Sequence, residues 1–270
     1  MISWFQALVL GALQGATEYL PVSSSGHLVI AEHLFGLREP TLFFNIVLHV
    51  GTLSAIFIYY RRDLAELTRE TVAGLGDLLR GGSPSAVLES RPGFRLALLI
   101  AVGTVPTAVI GLAFKSSFER MFGSVGWTGV MLMVTGTVLF LTWFAPKEPS
   151  RRIGLVSALI IGAVQGLAIA PGISRSGTTI AAALFRGVER EDAARFSFLL
   201  SIPSIIGALL VESRGVANGV GVGALIVGFA AAALVGYLCL ALLVQLVKKN
   251  RLSIFSYYCW ALGLIAIFIL

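Results

Sequence analysis

Acid, hydroxyl and imidazole stand within ten residues of one another near the start of the sequence, as Glu18, Ser24 and His27. A second group, Ser174-Arg175-Ser176-Gly177-Thr178, sets an arginine in an equally apolar neighbourhood. Each type suits group transfer. A carboxyl inside an apolar segment has its proton affinity tuned by desolvation toward proton transfer. A serine hydroxyl can act as nucleophile, with an imidazole three residues on as base or acid. Arginine carries a planar fork of donors that matches a pair of phosphate oxygens. Each also has a duller use. Serines in membrane helices commonly bond to backbone carbonyls, and a buried histidine is commonly a packed, hydrogen-bonded residue.

Both groups sit where apolar segments are interrupted, at Pro21-Val22-Ser23-Ser24-Ser25-Gly26-His27 and at Pro171-Gly172-Ile173-Ser174-Arg175-Ser176-Gly177. Helical stretches resume near His27 and near Thr178. A helix N-terminus offers unsatisfied N–H groups and partial positive charge, which suit phosphate. Ser23, Ser24, Ser25, Ser174 and Ser176 add hydroxyl donors, and Gly26, Gly177 and Thr178 complete the expected binding set. A lone intramembrane Arg175 needs a partner. Two readings stand, an anion site or a structural ion pair between Glu18 and Arg175.

Shifting the sequence by 151 residues aligns the interrupted regions. Gly11-Ala12-Leu13-Gln14-Gly15 falls on Gly162-Ala163-Val164-Gln165-Gly166, and Ser23-Ser24-Ser25-Gly26 falls on Ser174-Arg175-Ser176-Gly177. Pro21 and Pro171 miss by one position. The alternative to a true repeat is independent use of small residues for helix packing.

The elements that position these groups must lie in lipid. Hydrophobic residues make up 57% of the 270, charged residues only 13%, and the mean hydropathy is +0.90. No soluble core of this length hides so much apolar surface, which excludes a soluble enzyme, a disordered tail and a secreted disulfide scaffold. The net charge of +6 reads as loop basicity of a membrane protein, with no nucleic-acid partner. Cys239 and Cys259 read as small buried hydrophobes. The first residues lack the basic region of a signal peptide, so the chain is expected to be mature as it stands.

Runs of about 20 apolar residues predict six transmembrane helices, at 41–60, 94–114, 124–145, 194–212, 219–247 and 253–270. The interrupted regions 2–36 and 153–187 are predicted as re-entrant helical hairpins, packed inside the bundle because broken backbone at membrane depth needs protein or a wet cavity around it. The expected fold is an all-α integral membrane protein of one domain, 1–270, as an inverted-topology repeat. Copy one covers about 1–145 and copy two about 152–270, each one hairpin plus three spans, so that broken helices meet near the midplane. With the 61–95 loop placed inside, fifteen of the 20 Lys and Arg fall in cytoplasmic loops. Only Arg38, Lys115, Arg120 and Arg214 fall outside, and Arg175 lies in a hairpin. This bias puts both termini extracytoplasmic. His33 and His49 are expected to make helix-to-helix hydrogen bonds, and 61–80 to form a cytoplasmic amphipathic helix.

From Gln14 to His27 the sequence, Gln-Gly-Ala-Thr-Glu-Tyr-Leu-Pro-Val-Ser-Ser-Ser-Gly-His, resembles the undecaprenyl-diphosphate phosphatase, or bacitracin-resistance, family. Pro171–Gly177 is similar to that family's second motif, and motif order agrees over nearly the whole chain. The resemblance implies a bacterial inner-membrane enzyme that removes one phosphate from the C55 isoprenoid diphosphate, recycling it for cell-wall synthesis, and a homodimer. It assigns catalytic roles to Glu18, Ser24, His27 and Arg175. Gln14, counted with the binding groups, occupies the first position of a Glu/Gln-x-x-x-Glu motif. A Glu there gives two carboxylates for a divalent cation, Mg2+ or Ca2+; Gln14 puts that ligation in doubt. No organic cofactor is implied. A second class of lipid phosphatase needs a His six residues after the arginine, where this chain has Ala181, and is rejected.

The expected chemistry has Arg175 and the hairpin N–H groups neutralising a polyprenyl diphosphate. Either Ser24 or a water attacks the terminal phosphorus while His27 and Glu18 manage protons. The rival is a transporter or flippase of a phosphorylated lipid, since the architecture alone is transporter-like.

Overall fold

The computed structural model describes residues 2–37, 42–146, 148–212 and 220–270. Arg38, Lys147 and Arg214 of the charge tally lie outside them. Among the described residues the chain forms thirteen α-helices, two short 3-10 turns and one isolated bridge, Arg151 to Val188. It is an all-α membrane protein.

The predicted spans are occupied by α3 (Leu42–Tyr59), α6 (Pro92–Ala113), α8 (Val125–Leu141), α11 (Arg190–Glu212), α12 (Val222–Lys248) and α13 (Phe255–Phe268). By length and apolarity, α6, α8 with the turn after it, α11 and α12 each suffice to cross a bilayer. α3 does so only when joined to α4 (Arg61–Leu79), across a bend of 77°. The bend lets the charged, amphipathic α4 leave the direction of the apolar α3. α13 and the turn before it, Leu252–Phe268, form a shorter apolar helix. α5 (Pro84–Ser90) and α7 (Lys115–Phe122) were not foreseen. Both are short, and a proline in the first turn of α5 supports its start.

The interrupted regions are two helix pairs, α1 (Trp4–Tyr19) with α2 (Ser24–Leu34), and α9 (Leu155–Leu167) with α10 (Arg175–Phe185). The two members of each pair pack on each other. At about 1.5 Å per residue the 16 residues of α1 fall short of a hydrocarbon core. The second helices begin earlier than expected, at Ser24 and Arg175 rather than near His27 and Thr178. The physical reason is capping: Ser23 accepts from Gly26 N, and Ser174 accepts from Gly177 N.

The two halves interlock. α1 packs along α12, which also carries α3, whereas α9 packs along α6. Small residues allow the approach: a Cβ on Gly15 of α1 would come within 2.7 Å of Ala232 O on α12. α8 pairs with α13, and α10 sits against α9, α11 and α8. The largest buried cluster joins Tyr19, Ile56, Leu139, Ile180, Phe196 and Phe198 beneath the broken loops. Polar residues from distant loops meet at one end: Arg195 Nε pairs with Asp63 at 2.6 Å and Lys248 with Glu191 at 2.9 Å. Arg95 there bonds Ile153 O at 3.2 Å.

Candidate active site where the broken hairpins meet

The two loops hold each other. Ser23 has φ +71 and Gly172 has φ +96, the left-handed backbone that a sharp reversal requires and that costs a serine more than a glycine. Ser23 Oγ accepts from Gly172 N at 3.1 Å, and Ser176 Oγ donates to Tyr19 O at 2.9 Å. A Cβ on Gly26 would lie 3.1 Å from Gly172 Cα, so glycine is what lets the loops touch. Thr135 of α8 braces the second loop, donating to Gly172 O at 2.8 Å and accepting from Ser174 N at 3.0 Å.

This frame aims one residue of each new helix at Glu18, the next-to-last residue of α1. Ser24 Oγ donates to Glu18 Oε2 at 2.6 Å. Arg175 Nη2 pairs with Glu18 Oε1. Gln14, one turn back on α1, donates from Nε2 to Oε2 at 3.0 Å. The Glu18 and Arg175 side chains are 6% and 15% exposed. The ion pair with Arg175 that the sequence left open is formed, and Ser24 and Gln14 engage the other carboxylate oxygen.

Two polar atoms at this centre lack a protein partner. Arg175 Nη1 and Gln14 Oε1 are buried and make no hydrogen bond. With Gly26 N and Gly177 N spent on their caps, the first N–H groups of α2 and α10, those of Ser24, Ser25, Arg175 and Ser176, have no intrahelical acceptor. A buried guanidinium nitrogen without an acceptor beside free helix N–H groups is a cradle for an anion. The structural ion pair exists, but it uses only one side of the arginine.

The remaining expected binding residues work mainly on the backbone. Ser174 caps α10, Thr178 Oγ1 donates to Ser174 O at 2.7 Å, and Ser25 Oγ lies 3.3 Å from Ser23 Oγ. His27 reaches back as expected, with Nδ1 2.7 Å from Ser23 O. A carbonyl only accepts, so Nδ1 carries the proton; Nε2 of the neutral ring then accepts from Tyr258 OH at 2.7 Å. The two rings are stacked, 4° from parallel.

His49 departs from expectation. Its Nδ1 bonds within its own helix, 2.8 Å from Asn45 O, while Nε2 turns toward Glu18 Oε2 at 3.9 Å. Sequence reasoning missed His49, Tyr258 and Thr135. For His49 the signal was present, since an ionisable residue inside an apolar span is a site candidate by default. Tyr258 and Thr135 carried none, because nothing local ties them to residues so distant in sequence.

The donor set does not suit a divalent cation. Mg2+ and Ca2+ take six or more oxygen ligands, whereas Glu18 is already engaged by Arg175, Ser24 and Gln14. Among the described residues no group of three His, Cys, Asp or Glu could hold a metal.

Residues 7–265 match the family model described as Bacitracin resistance protein BacA. A protein named undecaprenyl-diphosphatase from Desulforapulum autotrophicum is 47% identical, over 97% of this chain and 97% of its own length. One of that name from Carboxydothermus hydrogenoformans is 44% identical over 96% and 94%. Another from Methanosphaera stadtmanae is 41% identical over 99% and 98%. With the motifs around Glu18 and Arg175 meeting at one buried centre, the chain belongs to the bacitracin resistance protein BacA family.

Proposed function

We propose that the chain hydrolyses undecaprenyl diphosphate to undecaprenyl phosphate and inorganic phosphate. The observation that carries this is the pairing of Ser24 with Glu18 beside a buried Arg175 whose Nη1 has no partner. In the proposed reaction the terminal phosphate sits against Arg175 Nη1 and the free N–H groups of α2 and α10. Ser24 Oγ attacks the terminal phosphorus, its proton passes to Glu18, and the bond to the bridging oxygen breaks, releasing undecaprenyl phosphate. Water then hydrolyses the phosphoserine and frees inorganic phosphate, regenerating the hydroxyl. Arg175 stabilises charge on the transferring group. His27, fixed by Ser23 and Tyr258, serves proton exchange with the cleft.

The test is phosphate release from undecaprenyl diphosphate by purified protein, with brief labelling to trap a phosphoenzyme. Wild type is expected to release phosphate and to carry label; Ser24→Ala is expected to lose both. Normal turnover by Ser24→Ala would assign the attack to water. No release by wild type would overturn the function.

The wider setting is proposed with it. The chain is placed in the bacterial inner membrane as an inverted repeat, with both termini and the cleft extracytoplasmic. The support is the bias of basic residues, and the gathering of Asp63, Glu191, Arg195 and Lys248 at one end of the bundle. Reagent labelling of single cysteines at Lys249 and Lys115 tests the sidedness. A homodimer is proposed, checked by mass measurement in detergent. A divalent cation, Mg2+ or Ca2+, is proposed to enter as counter-ion of the diphosphate rather than on chain ligands. No observation favours lipid transport without chemistry.

A further inference from the structure

Helix α4 spends its acids inward and leaves its bases free. Asp63 pairs with Arg195 at 2.6 Å, Asp77 pairs with Arg91 at 2.6 Å, and Glu70 accepts from Gly93 N. Arg62, Arg69 and Arg80 are exposed and make no ion pair among the described residues. Beside them Ala65, Val72, Leu75 and Leu79 are exposed too, Val72 at 67% and Leu79 at 89%. At about 100° per residue these four fall on one stripe, and the three arginines follow its edge. The nearly opposite face is committed to the protein, since a Cβ on Gly74 would lie 2.7 Å from the Phe94 ring of α6.

Two contacts fix the level of the free stripe. α4 leaves the end of α3 across a bend of 77°. It then docks beside Gly93 and Phe94, in the first turn of the span α6. α4 therefore runs across the bundle at the height where one span ends and another begins. That height is a membrane surface, where a helix with an apolar stripe and a basic edge is suited to lie.

We propose that the free face of α4 docks on the anionic phospholipid surface of the membrane. Val72, Leu75 and Leu79 enter the acyl boundary, while Arg62, Arg69 and Arg80 hold phosphate head groups. Charge selects this partner: anionic head groups neutralise the arginines, whereas a second copy packed on the stripe brings like charges together. On the orientation proposed above this is the cytoplasmic leaflet, and the inference does not depend on the phosphatase reading. The seat anchors the corner between α3 and α4 and, through the pair of Asp63 with Arg195, the start of α11.

The experiment places single cysteines by Val72→Cys, Leu75→Cys, Leu79→Cys and, off the stripe, Glu66→Cys, each in a chain carrying Cys239→Ala and Cys259→Ala. Each is labelled with the environment-sensitive dye NBD. The full chain is reconstituted in vesicles of phosphatidylcholine, or of phosphatidylcholine and phosphatidylglycerol in equal parts. Emission from the three stripe positions is expected to shift to the blue and to be quenched by lipid-borne nitroxide, more strongly with phosphatidylglycerol. Emission from Glu66→Cys is expected to stay water-like. Arg62→Gln, Arg69→Gln and Arg80→Gln together are expected to lower the ratio of seated to free helix about a hundredfold, at about fivefold per arginine. Water-like emission from the stripe in both vesicles would overturn the proposal, and so would equal burial in the two. Self-quenching relieved by unlabelled protein would overturn it in favour of a second copy. Native mass spectrometry of the unlabelled wild type and the triple arginine variant gives a check free of the cysteine changes. Wild type is expected to retain more phosphatidylglycerol, and equal retention by both would overturn the proposal.

Discussion

Ser24 opens α2, and Arg175, its counterpart 151 residues on, opens α10; both side chains end on Glu18. Around them the two hairpins keep the same frame. Ser23 and Ser174 cap the two helices, Gly26 and Gly177 supply the capped N–H, and the first polar side chain after each glycine bonds back to its cap carbonyl. That side chain is His27 in one loop and Thr178 in the other. Glu18 aligns with Ile169, which is 37% exposed and brings no charge. Gln14 and Gln165 are the same residue with different uses. Gln14 holds Glu18, whereas Gln165 donates to Ser204 at 2.8 Å and sits against Thr107 and Leu200 O. Features that build a loop are thus common to both hairpins, and those that carry charge or a proton are divided between them.

That division can be broken most severely at Arg175. Arg175→Ala is expected to lower kcat/KM by about a thousandfold, as removal of a stabilising donor does elsewhere. Arg175→Lys is expected to recover little, because an ammonium cannot serve Glu18 and a phosphate as a fork does. Steady-state phosphate release measures both. Next in size, Glu18→Gln is expected to cost about a hundredfold in kcat, within the usual range for a proton-handling group. Adding Ile169→Glu to it sharpens the comparison, and no recovery is expected because Ile169 is 37% exposed and lies against Gly111 of α6. Restored turnover would mean that the two hairpins are interchangeable at this position.

The two glutamines should separate cleanly. Gln165→Ala is expected to destabilise the fold by about 1–3 kcal/mol through lost buried hydrogen bonds, with turnover within about twofold of wild type, read by thermal melting and kcat. Gln14→Ala is expected to show the opposite pattern, about tenfold in kcat with a small melting shift, as for other orienting contacts. Smallest is Tyr258→Phe, expected to lower kcat about threefold by freeing His27 Nε2 while keeping the stacked ring, the loss of one hydrogen bond. An unchanged rate there would show that the Tyr258 bond to His27 plays no part in the reaction.

The spans, the two interruptions and the meeting of Glu18 with Arg175 were legible because apolar length, glycine-proline punctuation and a charge without a loop are local properties of sequence. The helix starts were misjudged by three residues because the serines and glycines were counted with the loops, whereas their Ser-x-x-Gly spacing caps α2 and α10. The contacts of Tyr258 and Thr135 were hidden for another reason. They depend on which helix packs on which, and the pairing of α1 with α12 and of α8 with α13 leaves no trace at short range. At Glu18 the pairing with Arg175 was open from sequence, whereas the added bonds from Gln14 and Ser24 of its own hairpin were not foreseen.

The exchange of packing partners, α1 on α12 and α9 on α6, has a consequence for biogenesis. Translation delivers Trp4–Tyr19 long before Val222–Lys248, so α1 can first pack only on α2 and α3, and its main partner arrives near the end of synthesis. Ser23 likewise waits for Gly172, and Glu18 for Arg175. The ion pair of Glu18 with Arg175 is therefore completed only after the second hairpin has been made, whereas the Ser24–Glu18 bond needs the first hairpin alone.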